Sequence, residues 1–451
     1  MLSNQLYLNT DNTDCMRKFF TVVCIFLTLS INAQSFYFPP TSGLTWDTIS
    51  PTTLGWCQPR IDSLYNYLDS TGASGFVVLV DGKIALEKYF GTFTTDSIHI
   101  WNSAGKSFTS TLTSVAEQEG LLTINDTVSN ILGNGWTSCT TQQERQITVR
   151  NLITMTSGLN DNPTGVCTNI SVTPACLQYL DTPGARWAYH TGAYRKMEDV
   201  IATAAGVTFN NYAKTRIENS IGMNGTWFNY EFYSTIRDAA RFGLLVLGKG
   251  IWANDTLLRD TAYLNAMVNT SQNFNLSYGY LWWLNGKPNF MSPGLQTILP
   301  GPLVSNAPAD MFAALGKDDQ KIYVVPSKNM VVVRMGNSAY GVADAFSPFD
   351  NDLWGYIDSL SCETTAGIAE VSNPPAEVKV YPNPARQSFK VKLMSGSFNL
   401  GLYDLAGRKI YTLENVNGDV SINCADIQNG VYMLHLYGVN DSFSRKITVC
   451  H

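Results

Sequence analysis

Histidine is scarce in this chain, with four in 451 residues, and that scarcity removes whole classes of chemistry. No H-E-x-x-H occurs, so a helix-borne zinc protease site is excluded, and no metal or cofactor is expected. No G-x-S-x-G occurs, and only His99 and His190 lie before residue 362, so a Ser-His-Asp triad lacks both its elbow and a choice of base. No C-x-x-C occurs, which leaves zinc ribbons and dithiol redox centres without their ligands. Positive charge is not in excess: a formal net charge of −6 argues against nucleic acid as a partner. Beyond residue 33 no apolar run reaches the ~18 residues of a membrane span.

Residues 1–33 read as a secretory signal. Met16-Arg17-Lys18 is a short basic segment, Phe19 to Ile31 is apolar, and Asn32-Ala33-Gln34 ends it with a small residue. Translation is expected to begin at Met16, and no transmembrane segment is expected once the signal is removed. Export sets how cysteine is read. Of the nine cysteines, Cys15 and Cys24 leave with the signal, and the other seven meet an oxidising compartment. Cys167 and Cys176 bracket a short loop containing Pro174 and are the disulfide candidate; the odd total leaves at least one thiol free or paired elsewhere.

Phe76 to Val80 and Lys83 to Glu87 flank Asp81-Gly82, a hairpin signal between β-rich runs. From Ser103 the apolar Phe108, Leu112, Val115 and Ala116 recur at helical spacing up to Gly120, which suits a C-cap. Further helices are predicted over 61–68, 148–156, 195–205 and 236–247, and short strands over 278–284, 311–315, 320–325 and 330–335. Strands at both ends of a helical insert predict one α+β domain over residues 36–362, whose antiparallel sheet closes only when the chain returns.

Ser103 and Lys106 stand three apart at the start of the Ser103 helix, so they share a face, and the helix N-terminus adds positive potential near the hydroxyl. A desolvated Lys106 amine would be partly neutral and able to take the serine proton, which is how Ser/Lys hydrolases activate their nucleophile. Ser-x-x-Lys by itself also describes an exposed helix start and arises by chance in most chains of this length. Gly105-Lys106-Ser107 resembles the end of a phosphate-binding loop, but that motif needs glycine where this chain has Ile100.

Ser103-Ala104-Gly105-Lys106, then Gly120-Leu121-Leu122-Thr123-Ile124-Asn125-Asp126-Thr127-Val128, then Thr148 to Leu159 follow in an order similar to that of class C β-lactamase-related serine hydrolases. That superfamily includes penicillin-binding D-Ala-D-Ala peptidases, family VIII carboxylesterases and 6-aminohexanoate-dimer hydrolases, and the resemblance covers about residues 50 to 360. It implies the serine β-lactamase/D-Ala-D-Ala peptidase-like α+β fold, an antiparallel sheet with flanking helices. Where the family has Tyr-x-Asn, this chain has Tyr189-His190-Thr191, so Tyr189 resembles the proton shuttle, with flanking positive charge expected to favour phenolate. Thr191 lacks the amide's separate donor and acceptor. The third motif falls on Ala314-Leu315-Gly316, with no charged residue in first place; the resemblance implies that the Lys317 amide joins that of Ser103 as an oxyanion hole beside Gly316. Tyr189 as a core tyrosine and Gly316 as a strand-end glycine are the competing readings. Among Tyr278, Tyr280, Trp282 and Trp283, the tryptophans are candidates to line a substrate pocket, although strand aromatics are commonly core. His190 reads as an exposed loop residue.

Residues 363–377 are rich in Thr, Ala, Ser and Pro, which suits a linker. Short strands and turns at regular spacing over 378–451 predict a small β-sandwich. Its Tyr381-Pro382-Asn383-Pro384 opening, Asp404 to Lys409 centre and closing Arg445-Lys446-Ile447-Thr448-Val449 resemble the type A C-terminal sorting domain of the Bacteroidetes type IX secretion system. The expected protein is an exported serine hydrolase acting on a small ester, amide or peptide, with the secretion machinery as its partner. Its alternatives are a non-catalytic peptidoglycan- or peptide-binding protein of the same fold, a D-amino-acid peptidase or β-lactamase, and an adhesin.

Overall fold

The computed structural model describes residues 36–341, 345–362, 378–392, 397–404, 408–437 and 442–451. The expected signal and the 363–377 linker therefore lie outside the described residues. The chain forms two compact units, divided between Leu360 and Ser361.

The first unit is built on a six-stranded sheet. Helix α1 (Gln58–Ser70) leads into β1 (Ala73–Val80) and β2 (Lys83–Tyr89). Asp81 and Gly82 both take positive φ, as the two central residues of a tight hairpin turn require. After α2 (Gly105–Gln118), α3 (Thr191–Ala205) and α4 (Ile236–Leu247), the chain returns as β3 (Trp283–Leu284), β4 (Phe312–Gly316), β5 (Gln320–Val325) and β6 (Met330–Gly336), and ends in α5 (Pro348–Asp358). The order is β2-β1-β6-β5-β4-β3, with every neighbour antiparallel. The late strands thus insert beside the early hairpin, and the sheet closes only at the end of the unit.

Both faces of the sheet are covered. The methyl of Ile322 on β5 would crowd any side chain at Gly243 of α4, whereas the next residue, Tyr323, meets Trp354 of α5 edge-on. Successive strand residues point to opposite faces, so α4 and α5 lie on opposite sides. Residues 278–284 depart from the expected strand. Leu281 has φ +59°, the Gly279 amide donates to the Trp282 carbonyl, and Tyr278 bridges Trp283, so the segment folds back on itself and only Trp283 and Leu284 join the sheet. The helix predicted over 148–156 is likewise shorter, at Val149–Ile153, with a Thr148–Asn151 capping box at its start.

The second unit consists of a three-stranded sheet (Lys379–Tyr381, Ser388–Lys392, Val420–Asn423) and a four-stranded sheet (Lys409–Asn417, Ser397–Asp404, Gly430–Tyr437, Ser442–Val449). Phe389, Val391, Leu400, Leu402, Leu434 and Ile447 form its own buried core, as a small sandwich needs.

Candidate active site

The Ser103 turn is anchored from behind. Trp101 is fully buried among Phe108, Phe232 and Phe242, its amide donates to the Phe232 carbonyl, and its indole N–H donates to the Ser234 hydroxyl (2.9 Å each). Asn102, in the left-handed region (φ +49°), starts a short 3-10 turn through Ala104 that runs directly into α2. The Ser103 hydroxyl is therefore presented at the mouth of the helix while Lys106 points inward. Helix α2 is buried on most of its surface. All but one of its hydroxyls are satisfied by the helix itself (Thr113 to the Thr109 carbonyl, 2.9 Å) or by neighbours (Ser107 to the Leu281 carbonyl, 2.7 Å), Ser114 being the exception, which lets so polar a helix occupy the centre.

Lys106 Nζ donates to Ser103 Oγ at 2.7 Å. Ser103 is half-buried, but Lys106 is 3% exposed. The amine lies 5.1 Å from the Tyr189 ring centroid and 4.7 Å from that of Tyr194 on α3. Burial is the largest influence on it and pulls its pKa down to about 7, with Glu231 and Glu198 opposing and Arg195 assisting. The opposition is weak for structural reasons. Glu231 is already paired with Arg195 at 2.8 Å, and burial pushes the Glu198 carboxyl up to about 8, so near neutral pH it is largely uncharged. No carboxylate forms an ion pair with Lys106 among the described residues. Tyr194 was not singled out by its sequence context; its hydroxyl is tied to Thr109 Oγ1 at 3.0 Å, which turns the ring toward the amine.

Tyr189 lies in the same place, on the segment that enters α3. It stacks on Trp283 (centroids 5.9 Å apart) and meets Trp187 and Tyr278. Burial is the largest influence on its phenol and holds its pKa above the ordinary tyrosine value, with the nearby Ser103 side chain opposing. The expected phenolate is thus corrected to a neutral phenol. His190 is corrected too: it is 1% exposed, not on an open loop, and burial pulls it down to about 4, so it is neutral. Thr191 begins α3 and is nearly buried. Of the two tryptophans, only Trp283 reaches the site. Trp282 packs between Phe242 and Phe312 in the core, fully buried, and does not line a pocket with Tyr189.

On the other side of Ser103, β4 ends at Gly316. A Cβ there would collide with the Trp101 carbonyl and press on the Ala104 amide at 3.0 Å, so glycine is required for the strand and the Ser103 turn to meet. The strand-end reading of Gly316 is therefore insufficient. Ala314 is wholly buried on this strand, out of reach of a ligand from solvent. Asn102 Nδ2 donates to the Lys317 carbonyl at 2.9 Å, which ties the following turn to the Ser103 turn.

That turn, Lys317–Asp319, has Asp318 and Asp319 at φ +60° and +59°, a costly geometry for non-glycine residues that surrounding bonds must hold. Arg334 Nη1 donates to both their carbonyls (3.2 and 3.1 Å), and Asp319 accepts from Ser347 Oγ and the Ala339 amide (2.9 Å each). Buried Lys321 bridges Asp319 (3.2 Å) and Asp350 (2.8 Å). These partners come from β5, β6 and the segment leading into α5, so no local motif announces them. Cys167 and Cys176 are disulfide-bonded, with their Cα atoms 5.3 Å apart. Among the described residues no cluster of His, Cys, Asp and Glu is suited to a metal, and no helix is long and apolar enough to cross a membrane.

Known proteins agree with this architecture. Putative names aside, PbpX of Bacillus subtilis (strain 168), provisionally named a penicillin-binding protein, is 30% identical over 193 residues, which is 39% of this chain and 46% of that protein; the chain thus spans less than half of that relative's length. A solved structure provisionally named a 6-aminohexanoate-dimer hydrolase, from Bacillus anthracis, superposes with a TM-score of 0.53 at 18% identity, covering 71% of this chain and 88% of that one. A penicillin-binding protein homologue from Caulobacter crescentus gives 0.52 at 14% identity, covering 67% and 98%. At these identities the two structures speak for the fold alone. The secretion system C-terminal sorting domain family matches residues 379–450, which places the second unit among type IX sorting domains. The β-lactamase family model matches residues 66–353, well over half of the chain, and the chain therefore belongs to the β-lactamase family.

Proposed function

We propose that this protein is an exported serine hydrolase that cleaves an ester or amide bond through an acyl-enzyme on Ser103. The observation that carries the reading is a half-buried hydroxyl 2.7 Å from a fully buried amine whose pKa is brought to about 7 by desolvation. As Ser103 Oγ attacks the carbonyl carbon, the neutral Lys106 amine takes its proton. The Ser103 and Lys317 backbone N–H groups are the donors for the developing oxyanion. Collapse of the tetrahedral species releases the alcohol or amine, to which Lys106 returns the proton. The Tyr189 phenol, neutral and in contact with Ser103, serves as a relay in that step. Water deacylates the enzyme by the same path in reverse.

Small esters are the favoured substrates over β-lactams. Related enzymes hold the antibiotic's carboxylate and side-chain amide with a cation or hydroxyl on the third-motif strand and an asparagine in the second motif; here those places carry buried Ala314 and Thr191. Each missing charge-assisted hydrogen bond costs about 1.5–3 kcal/mol, or at least about tenfold in binding. Esters need neither contact, and their alcohol leaves with little protonation. The test is covalent labelling of the full chain by a fluorophosphonate, with the adduct mapped to Ser103 by mass spectrometry and p-nitrophenyl butyrate compared with a chromogenic cephalosporin. Labelling absent at Ser103 identifies instead a binding protein that keeps the fold, and better turnover of the cephalosporin overturns the ester preference.

A further inference from the structure

The mechanism leaves unexplained what keeps Tyr189 over the lysine. Tyr189 belongs to a non-helical segment, and the element outside it is a strap, residues 167–176, closed by the Cys167–Cys176 disulfide. Half of the strap's residues are exposed, with Ile170 53% exposed, and only Cys176 is buried, so apolar burial does little to hold it in place. Hydrogen bonds do. The Asn169 side-chain amide donates from Nδ2 to the Tyr189 carbonyl (3.0 Å) and to the Asp161 carbonyl (2.9 Å), while its Oδ1 accepts from the Thr191 amide (3.0 Å). The Asn169 backbone carbonyl accepts from the Gly192 amide (2.7 Å) and lies 3.1 Å from His190 Nδ1. The strap sits so close that a Cβ on Gly192 would collide with the Ser171 carbonyl. Arg195, the partner of Glu231, also donates to the Ile170 carbonyl at 3.0 Å. One asparagine thus grips both sides of His190, and the disulfide closes the short loop that presents it, reducing the ways the strap can open.

We propose that Asn169, presented by the disulfide-closed strap, is a positioning residue for the reaction: it fixes the Tyr189–Thr191 segment against Lys106 and so excludes water from the amine. Its consequence for catalysis rests on the Ser103–Lys106 reading above. The groups facing that amine are Ser103 from its own turn, Tyr189 and the α3 residues Tyr194, Arg195 and Glu198, and Glu231 from the neighbouring strand. None of the charged ones is altered when Asn169 is truncated, so loss of the clamp acts through hydration. Water admitted beside Lys106 relieves desolvation and moves its titration upward, toward the ordinary lysine value.

The experiment is NMR titration of Lys106 in the full chain labelled with 13Cε-lysine, the resonance assigned by Lys106→Arg. The parent midpoint is expected near 7. In Asn169→Ala it rises by about one pH unit or more, so that fluorophosphonate labelling of Ser103 falls about fivefold or more at pH 7, approaches about tenfold or more below pH 6, and converges with the parent at high pH. A residue that merely stabilised the fold would lower the melting temperature without moving the midpoint. If Asn169→Ala does not fold, Cys167→Ser/Cys176→Ser makes the same test with every clamp side chain in place. An unchanged midpoint in the variant, or a parent midpoint in the ordinary lysine range, overturns the proposal. A parent that titrates near 7 and shifts on truncation, but whose Ser103 never reacts, supports the clamp and overturns the hydrolase reading instead.

Discussion

Among the described residues of the first unit two lysines are buried, and the protein treats them in opposite ways. Lys321 is fully buried but surrounded by compensation: Asp319 and Asp350 form ion pairs with it, and the Ala345 carbonyl accepts a third bond. Lys106 is almost as deeply buried, and among the described residues its direct partners are a hydroxyl and the faces of two tyrosines, with no ion pair. The paired charges compensate the burial, so Lys321 acts as a structural clamp on the turn beside Ser103. Without such pairing the amine is favoured over the ammonium, which is the state the proposed base requires of Lys106. Burial alone does not make a lysine catalytic; the identity of what is buried with it does.

The comparison is broken most severely by removing the reactive pair. Ser103→Ala and Lys106→Ala are each expected to reduce ester turnover by about a thousandfold or more while leaving the circular dichroism spectrum unchanged, because neither supports the core. Removing charge from the other lysine has a different signature. Asp350→Ala leaves Lys321 and the Tyr323 hydroxyl each with a partner missing in the core and should cost about 3–5 kcal/mol in denaturant unfolding, with activity retained in the fraction that stays folded. Tyr189→Phe keeps the stacking on Trp283 and loses only the hydroxyl; turnover should fall about a hundredfold if the phenol relays a proton, and an unchanged rate reduces Tyr189 to a packing role.

A subtler test uses stability. Lys106 has a folded pKa of about 7 against 10.5 when unfolded. Between those values the unfolded chain binds more protons, so the parent gains stability as pH rises through this window and loses it as pH falls. Lys106→Met carries no such proton. Its stability advantage over the parent should grow as pH drops from about 10 to about 7, by up to about 1.4 kcal/mol per pH unit, and level off below. A constant difference across that range means that the lysine is not desolvated.

How much of this was legible in sequence follows the distance over which each feature is built. Ser103 and Lys106 meet because residues three apart on a helix must, and Asp81-Gly82 turns a hairpin by local backbone preference. Asn169, Tyr194 and the Asp319–Lys321–Asp350 network meet their partners only through the tertiary fold, and nothing near them in sequence marks the pairing. The aromatic run at 278–284 misled for a related reason. Its β-type residues suit a strand, but Gly279 packs where a Cβ would strike the Met267 carbonyl and Leu281 takes positive φ, so the backbone reverses. Trp282 is thereby sent to the core and Trp283 to Tyr189. The same limit applies to Tyr189: its place in the chain pointed to proton transfer, whereas its protonation state depends on a burial that only the assembled site provides.

The central claim is that a neutral Lys106 activates Ser103, and the most direct measurement of it is the pH dependence of kcat/KM for p-nitrophenyl butyrate with the full chain. A base titrating at about 7 predicts a rate that rises tenfold per pH unit on the acid side and levels above neutrality, with the limb lost in Lys106→Ala. A profile flat from pH 5 to 9, or one that begins to level only near the ordinary lysine value, would contradict it.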